Sequence, residues 1–160
     1  MEFRKRKSPR LKTYDYSNTG AYFITFCTHK KRKILSVIDD DGNSKLTDIG
    51  KILNDIIINL PSKLGVTIDS YVIMPNHVHL IMYITDFNEK QINSKRGTIP
   101  KVVGYIKANL SKRIKELVNN EIVWQRSFHD HIIRDYEYYV KIKQYIYENP
   151  LKWKFDCFYD

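Results

Sequence analysis

The feature of this sequence that most constrains its fold is the order in which the spacing of its hydrophobic residues changes along the chain. Runs dense in aromatic and β-branched residues, which are typical of strands, lie at 21–28, 66–74, 77–84 and 124–134. Apolar residues recur at helical spacing at 49–60, where Pro61 ends the pattern, at 100–117, and in a last segment that begins with Asp135 and ends at Asn149-Pro150. Asp41-Gly42 predicts a hairpin within 34–47.

The resulting order, β-α-β-β-α-β followed by a helix, predicts an α+β domain of the ferredoxin-like, split βαβ type. We expect an antiparallel sheet with helices on one face, plus a C-terminal helix that carries Tyr145. One domain is predicted at 20–160, preceded by a basic N-terminal arm at 1–19, and 86–97 is expected to be a polar loop. The apolar stripe of the second helix is expected to be Val103, Ile106, Leu110, Ile114 and Leu117.

Charge and tyrosine content favour a nucleic-acid partner. The 160 residues include 27 Lys+Arg against 18 Asp+Glu, which gives a formal charge of +9. A basic surplus of this size favours polyanions, because neutralising phosphates releases counterions. The 12 tyrosines add rings on which unpaired bases can stack. Charge alone is weak evidence, since many basic proteins bind no nucleic acid.

Neither a membrane nor an oxidising compartment is indicated. No apolar run approaches the roughly 18 residues that span a bilayer. The first residues, MEFRKR, contain no apolar leader. Cys27 and Cys157 form no CxxC unit and are expected to be packed thiols rather than a disulfide or metal pair. We therefore expect a cytoplasmic, nucleoid-associated protein without a membrane partner.

The sharpest local motif is Pro75-Asn76-His77-Val78-His79, at the start of an apolar strand. Because side chains alternate across a strand, His77 and His79 project from one face and Val78 from the other. Two imidazoles held side by side can bind one divalent cation. A bare His-x-His is common, so two surface or core histidines are the competing interpretation. Two polar rings on an otherwise apolar strand favour the metal site.

A second motif, Tyr145-Ile146-Tyr147-Glu148-Asn149-Pro150, lies at the end of the last predicted helix. Tyr145 and Asn149 share a helix face at i and i+4, and the proline places Asn149 at or just past the helix end. Lys141, one turn before Tyr145, lies on the same face and could favour the phenolate. Packing beside a helix stop, with a solvated lysine, is the competing interpretation.

Together these residues resemble a known family. Asn-His-Val-His on a strand, followed by Tyr-Ile-x-x-Asn-Pro on a helix, is similar to the single-tyrosine HUH transposases, and more closely to their REP-associated tyrosine transposase branch. The resemblance covers most of the chain through 14–29, 71–81 and 124–153. It implies that His77 and His79 bind Mg²⁺ or Mn²⁺, that Asn149 completes the metal site, and that Tyr145 is the nucleophile.

The resemblance also implies an activity. It is metal-dependent cleavage of single-stranded DNA, with strand transfer through a 5′-phosphotyrosine intermediate, on hairpin-forming repeat DNA. The partner would be single-stranded or hairpin DNA; monomer or homodimer, with the tyrosine acting in cis or in trans, stays open. One alternative is a non-catalytic, structured DNA- or RNA-binding protein derived from a transposase. Another is a small metallohydrolase that uses both His-x-His pairs and holds two metals.

Phe128-His129-Asp130-His131 contains the second His-x-His pair and competes for the metal. We interpret His129 and His131 as lining the DNA side of the sheet; a polar edge strand is the other interpretation. The expected DNA contacts are Arg4, Arg6, Arg10, Lys101, Lys107, Arg126, His129, His131, Arg134 and Lys141.

Overall fold

The centre of the structure, a computed structural model that describes residues 20–85 and 97–159, is a four-stranded antiparallel sheet. Its strands, in the order in which they pair, are β4 (Thr67–Ile73), β5 (His77–Ile84), β1 (Gly20–Cys27) and β6 (His129–Ile133). A separate hairpin joins β2 (Ser36–Ile38) to β3 (Ser44–Leu46), as the sequence predicts. The pairing order of the four long strands is that of a split βαβ unit, which confirms the predicted fold class.

Helices cover both faces of this sheet. On one face, α1 (Asp48–Ile58), α2 (Leu60–Leu64) and α3 (Thr98–Arg113) form the main core with the inward side chains of β1 and β5. On the other face, α4 (Tyr136–Glu148) packs through Ile142 and Ile146 against Ile81. Ile81 has the same strand parity as His77 and His79, so α4 covers the histidine face. None of the described helices combines the length and apolarity needed to cross a lipid bilayer.

The prediction of a strand at 124–134 is wrong for its first half, because pairing with β1 begins only at His129, the first residue of β6. Trp124 makes one isolated bridge and turns its side chain into the main core. The Lys107 ammonium on α3 donates to the carbonyl oxygens of Gln125, at 2.7 Å, and Ser127, at 3.0 Å. These carbonyls would otherwise be available to a strand ladder, so burial and a lysine contact override the strand propensity of this segment.

Three helix boundaries differ from the predicted ones. The second predicted helix begins at Thr98 and ends at Arg113, so Leu117, expected on the buried stripe, is 64% exposed. The first ends at Ile58, and Pro61 then lies in the first turn of the short α2, where its missing N–H is tolerated. The predicted N-terminal arm, with Arg4, Arg6 and Arg10, and the loop at 86–96 lie outside the described residues.

Gly50 in the first turn of α1 offers a test of the packing. Thr47 caps this helix by accepting a hydrogen bond from the Gly50 N–H at 3.1 Å. The Thr47 hydroxyl also donates to the Leu35 carbonyl oxygen at 3.0 Å, which holds the turn against the backbone of Leu35. A Cβ at Gly50 would collide with the Leu35 carbonyl oxygen, which cannot move aside as a side chain would. We expect Gly50→Ala to lower the free energy of unfolding by about 3 kcal/mol or more, measured by urea denaturation.

The matched control is Gly104→Ala on α3, where an added Cβ meets nothing within 4 Å. Because alanine is the better helix former, this variant should gain about 1 kcal/mol. Equal effects of the two substitutions would contradict the described packing of α1.

Candidate active site

His77 and His79 lie side by side in the middle of the sheet. In the register with β1, His77 is opposite Cys27 and His79 is opposite Thr25, and both imidazoles project toward α4. Their ring centroids are 4.5 Å apart, and the two residues are 0% and 2% exposed. They are therefore not surface histidines. Burial of two polar rings needs polar partners, and these partners fix how the rings are turned.

Each imidazole is oriented through its Nδ1 atom. His77 Nδ1 lies 2.8 Å from the Oδ1 of Asn76, which can only accept, so Nδ1 carries the proton and Nε2 keeps its lone pair in the neutral ring. Asn76 is held in turn, since its Nδ2 donates to the Phe158 carbonyl oxygen at 2.6 Å. His79 Nδ1 lies 2.6 Å from the Thr25 hydroxyl oxygen. Both Nε2 atoms are thus directed away from these anchors, toward Tyr145 and Asp156.

The tyrosine motif approaches this pair from α4. Asp135 caps the helix by accepting from the Tyr138 N–H at 2.8 Å, and the buried Ile142 and Ile146 fix its rotation on the sheet. Tyr145 then places its hydroxyl 3.4 Å from His79 Nε2 while its side chain stays partly open to solvent, with the residue 42% exposed. The sheet and the terminal helix therefore bring a phenol and two imidazoles together within one chain.

Asn149 caps the C-terminal end of α4 and is 2% exposed. Its Nδ2 donates to the Oδ2 of Asp156 at 3.1 Å. Its Oδ1 is buried and, like Nε2 of His77, finds no hydrogen-bond partner among the described residues. Two buried acceptors without donors are costly in a folded protein, so their presence points to a missing electropositive partner.

Residues beyond the helix close the site, and the sequence motifs do not indicate them. The ring centroids of Phe158 and Trp153 lie 4.5 Å and 6.0 Å from that of His77. The Asp156 side chain is 3% exposed, and its Oδ2 lies 4.0 Å from His77 Nε2. One ligand atom each from His77, His79 and Asp156 lie within 4.8 Å of one another. Asp156 belongs to no periodic pattern, and its only sequence signal is a carboxylate shortly after the tyrosine helix.

Burial sets the protonation of the site. It lowers the pKa of His77 to about 3, an effect that the neighbouring Asn149 amide partly opposes. Burial, and then the nearby His77, lower the pKa of His79 to about 3. Burial, with the negative charge of Asp156, raises the pKa of Tyr145 to about 12. At neutral pH both imidazoles are neutral, as a ligand must be, and the phenol is protonated.

These side chains fit a divalent cation. Two imidazole nitrogens and an amide oxygen, with a carboxylate beside them, are donors that Mg²⁺, Mn²⁺ and related ions accept. A cation would also supply the partner that His77 Nε2 and Asn149 Oδ1 lack among the described residues.

The other predicted site residues lie outside the cluster, some on the histidine side of the sheet and others on the opposite side. His129 and His131 are exposed and stand opposite Thr25 and Phe23, on the histidine face but outside the cluster. The exposed Lys141 lines an open cavity of about 540 Å³ together with Tyr145. Arg126 and Arg134 are exposed near the ends of β6, whereas Lys101 and Lys107 lie on α3 across the sheet.

Comparisons with known proteins show which family and fold the chain resembles. The sequence model of the family described as "Transposase IS200 like" matches residues 16–149. A Haemophilus influenzae protein described only as uncharacterized is 35% identical, over 96% of this chain and 93% of its own length. A second one, named "Putative REP-associated tyrosine transposase", is 24% identical, over 86% of this chain and 74% of its own length. A REP-associated tyrosine transposase solved bound to a REP hairpin superposes with a TM-score of 0.63 at 21% identity, covering 89% of this chain and 74% of that one, and so shares the fold.

Proposed function

Since the chain belongs to the IS200-like transposase family, we propose that it cleaves and rejoins single-stranded DNA with Tyr145 as the nucleophile. The family membership confirms the resemblance that the motifs predict. The observation that carries the proposal is the position of the Tyr145 hydroxyl, 3.4 Å from Nε2 of a buried histidine pair in the same chain. A protein that only bound DNA would need no phenol, two neutral imidazoles and an amide oxygen facing one another.

The proposed reaction is a transesterification. The phenolic oxygen of Tyr145 forms a bond to the phosphorus of a DNA phosphodiester, and the bond from phosphorus to the 3′ oxygen breaks. The phenol proton is lost and one proton ends on the 3′ oxygen, so a 5′-phosphotyrosine and a free 3′-hydroxyl result. Because the phosphate stays esterified to Tyr145 and is not hydrolysed, the 3′-hydroxyl of another strand can reverse the step and join the ends.

His77, His79 and Asn149 would hold Mg²⁺ or Mn²⁺. When bound, such an ion supplies positive charge that stabilises the charge developing on the phosphate oxygens. The chain's own residues orient this site, since Asn76 and Thr25 fix the two rings and α4 fixes the amide. A phenol with a pKa of about 12 is a poor nucleophile without nearby positive charge, which a cation held by these residues would supply.

The proposed substrate is single-stranded DNA with a hairpin-forming repeat. The support is the net charge of +9, the family, and the related fold that was solved with a REP hairpin. Arg126, Arg134, His129 and His131 are exposed on β6 or near its ends and are proposed to contact the strand. The short distance between Tyr145 and His79 within one chain supports attack in cis, whether the protein is a monomer or a homodimer.

The test is to incubate the full chain with Mn²⁺ and a labelled single strand that folds into a hairpin with single-stranded flanks. Denaturing gels should show a covalent protein–DNA adduct and a shortened strand. The same sequence as a perfect duplex should give neither. Stable binding to a range of hairpins without any adduct would instead favour the non-catalytic binding protein.

Thr25→Val offers a test of ring orientation. Valine keeps the shape of threonine on β1 but removes the hydroxyl that lies 2.6 Å from His79 Nδ1. Because such partners fix ligand tautomer and direction, we expect Mn²⁺ affinity to fall by roughly 10- to 100-fold, measured by calorimetric titration. Thr67→Val, on the exposed edge strand β4, is the matched control and should bind as the wild type does. Equal affinities for all three proteins would rule out the orienting role of Thr25.

A further inference from the structure

We infer that Asp156 supplies a further ligand, a carboxylate, to the divalent cation of this site. The inference rests on the proposed metal site of His77, His79 and Asn149. It adds a donor from the segment that follows α4, which lies outside the strand and helix motifs of the sequence. Its consequence is a site with a negative charge in its ligand set, rather than one made only of neutral donors.

The carboxylate is held with one oxygen turned into the site. Asp156 Oδ1 accepts from the Phe158 N–H at 2.7 Å, which fixes the side chain at the start of a tight turn. Oδ2 accepts from Asn149 Nδ2 at 3.1 Å and lies 4.0 Å from His77 Nε2. Because Asn149 uses its N–H to hold this carboxylate, its Oδ1 is left for another partner. Asp156 and Asn149 are therefore oriented as a pair.

The described residues give this carboxylate hydrogen bonds but no lysine or arginine that would neutralise its charge. The side chain is 3% exposed, and the basic atom within ion-pair distance of it is the imidazole Nε2 of His77. The nearby Lys152 is bonded to Glu148 instead. Buried charges are paired with an opposite charge or bound to a metal, and the hydrogen bonds from Phe158 and Asn149 do not by themselves neutralise this one. A metal ion between the imidazoles and Oδ2 would compensate it.

A carboxylate ligand changes which metal ions the site prefers. Hard oxygen donors favour Mg²⁺ and Mn²⁺, whereas imidazoles alone suit Zn²⁺ and later transition metals. Removing the carboxylate should therefore weaken Mn²⁺ binding more than Zn²⁺ binding. A residue with only a structural role would change both affinities together or neither.

The experiment titrates the full chain, without DNA, with Mn²⁺ alone and with Zn²⁺ alone. Free Mn²⁺ is followed by electron paramagnetic resonance and Zn²⁺ by competition with a chromophoric chelator. Asp156→Asn keeps an Oδ1 acceptor for the Phe158 N–H, and Asp156→Ser is a second variant that removes the carboxylate. Glu148→Gln is the matched control, because Glu148 lines the same cavity but is paired with Lys152. Thermal unfolding identifies any variant that fails to fold.

We expect both Asp156 variants to raise the Kd for Mn²⁺ by about tenfold or more and the Kd for Zn²⁺ by less, with the control unchanged. Wild-type Mn²⁺ affinity in a folded Asp156→Asn protein would overturn the inference and leave the proposed function intact. An equal rise of both constants would also overturn it, since charge alone would then explain the effect. Absence of Mn²⁺ binding in the wild type would overturn the proposed metal site itself.

Discussion

Replacement of Tyr145 by phenylalanine is expected to abolish the covalent protein–DNA adduct and to lower the cleavage rate by about 10⁴-fold or more. The change removes one oxygen atom, which is the proposed nucleophile, and leaves the ring in its edge contact with Phe23. The stability of the protein and its affinity for hairpin DNA should therefore be close to those of the wild type. The measurement is single-turnover cleavage of a labelled hairpin strand with Mn²⁺, with binding followed separately by anisotropy.

Tyr147→Phe is the matched control for this result. Tyr147 lies on the same helix two residues later, and at 81% exposed it stands apart from the histidine pair. Its loss of a hydroxyl should leave the adduct in place. Cleavage that survives in the Tyr145 variant but is lost in the Tyr147 variant would move the nucleophile to the outer face of α4 and contradict the proposal.

Replacement of His77 by alanine is expected to remove Mn²⁺ binding and to lower the cleavage rate by about 10³-fold, equivalent to several kcal/mol of charge stabilisation. His77 projects the buried, unpartnered Nε2 atom described above, so its loss removes one side of the proposed ligand set. Binding of hairpin DNA should persist, because it depends on basic residues outside the cluster. The measurements are Mn²⁺ titration and single-turnover cleavage.

His29→Ala is the control here, since His29 lies in the 3-10 turn that follows β1 and is not part of the described cluster of possible metal ligands. His129→Ala distinguishes a metal bound by His77 and His79 from one bound by the second His-x-His pair, as the metallohydrolase interpretation requires. His129 is exposed and lies outside the described cluster of possible metal ligands. If the His129 variant lost Mn²⁺ binding while the His77 variant kept it, the metal would belong to the second His-x-His pair.

Much of the fold follows from local pattern, and so does the pairing of residues within each motif. Strand alternation places His77 and His79 on one face, and helical spacing places Tyr145 beside Asn149. What local pattern does not provide is the approach of one motif to the other, which depends on α4 packing over β5 through Ile146. That approach was predictable from the family resemblance alone.

The polar residues that complete the site depend on tertiary contacts. Thr25 meets His79 only because of the register between β1 and β5, and a shift by one residue would turn the hydroxyl to the opposite face. Asp156 reaches the histidines because the chain turns back after α4, at a place without periodic signal. Residues 124–128 also depend on tertiary contacts. Trp124 packs into the core and the Lys107 ammonium donates to backbone carbonyl oxygens, so this segment does not form the strand that its sequence favours.

The central claim, that Tyr145 becomes covalently joined to DNA, is tested most directly by locating the attachment. The full chain would be incubated with Mn²⁺ and a hairpin-forming single strand, digested with nuclease and protease, and analysed by peptide mass spectrometry. We expect a nucleotide linked through its 5′ phosphate to the peptide that contains Tyr145. A nucleotide on another residue, or none while the DNA is demonstrably bound, would contradict the account.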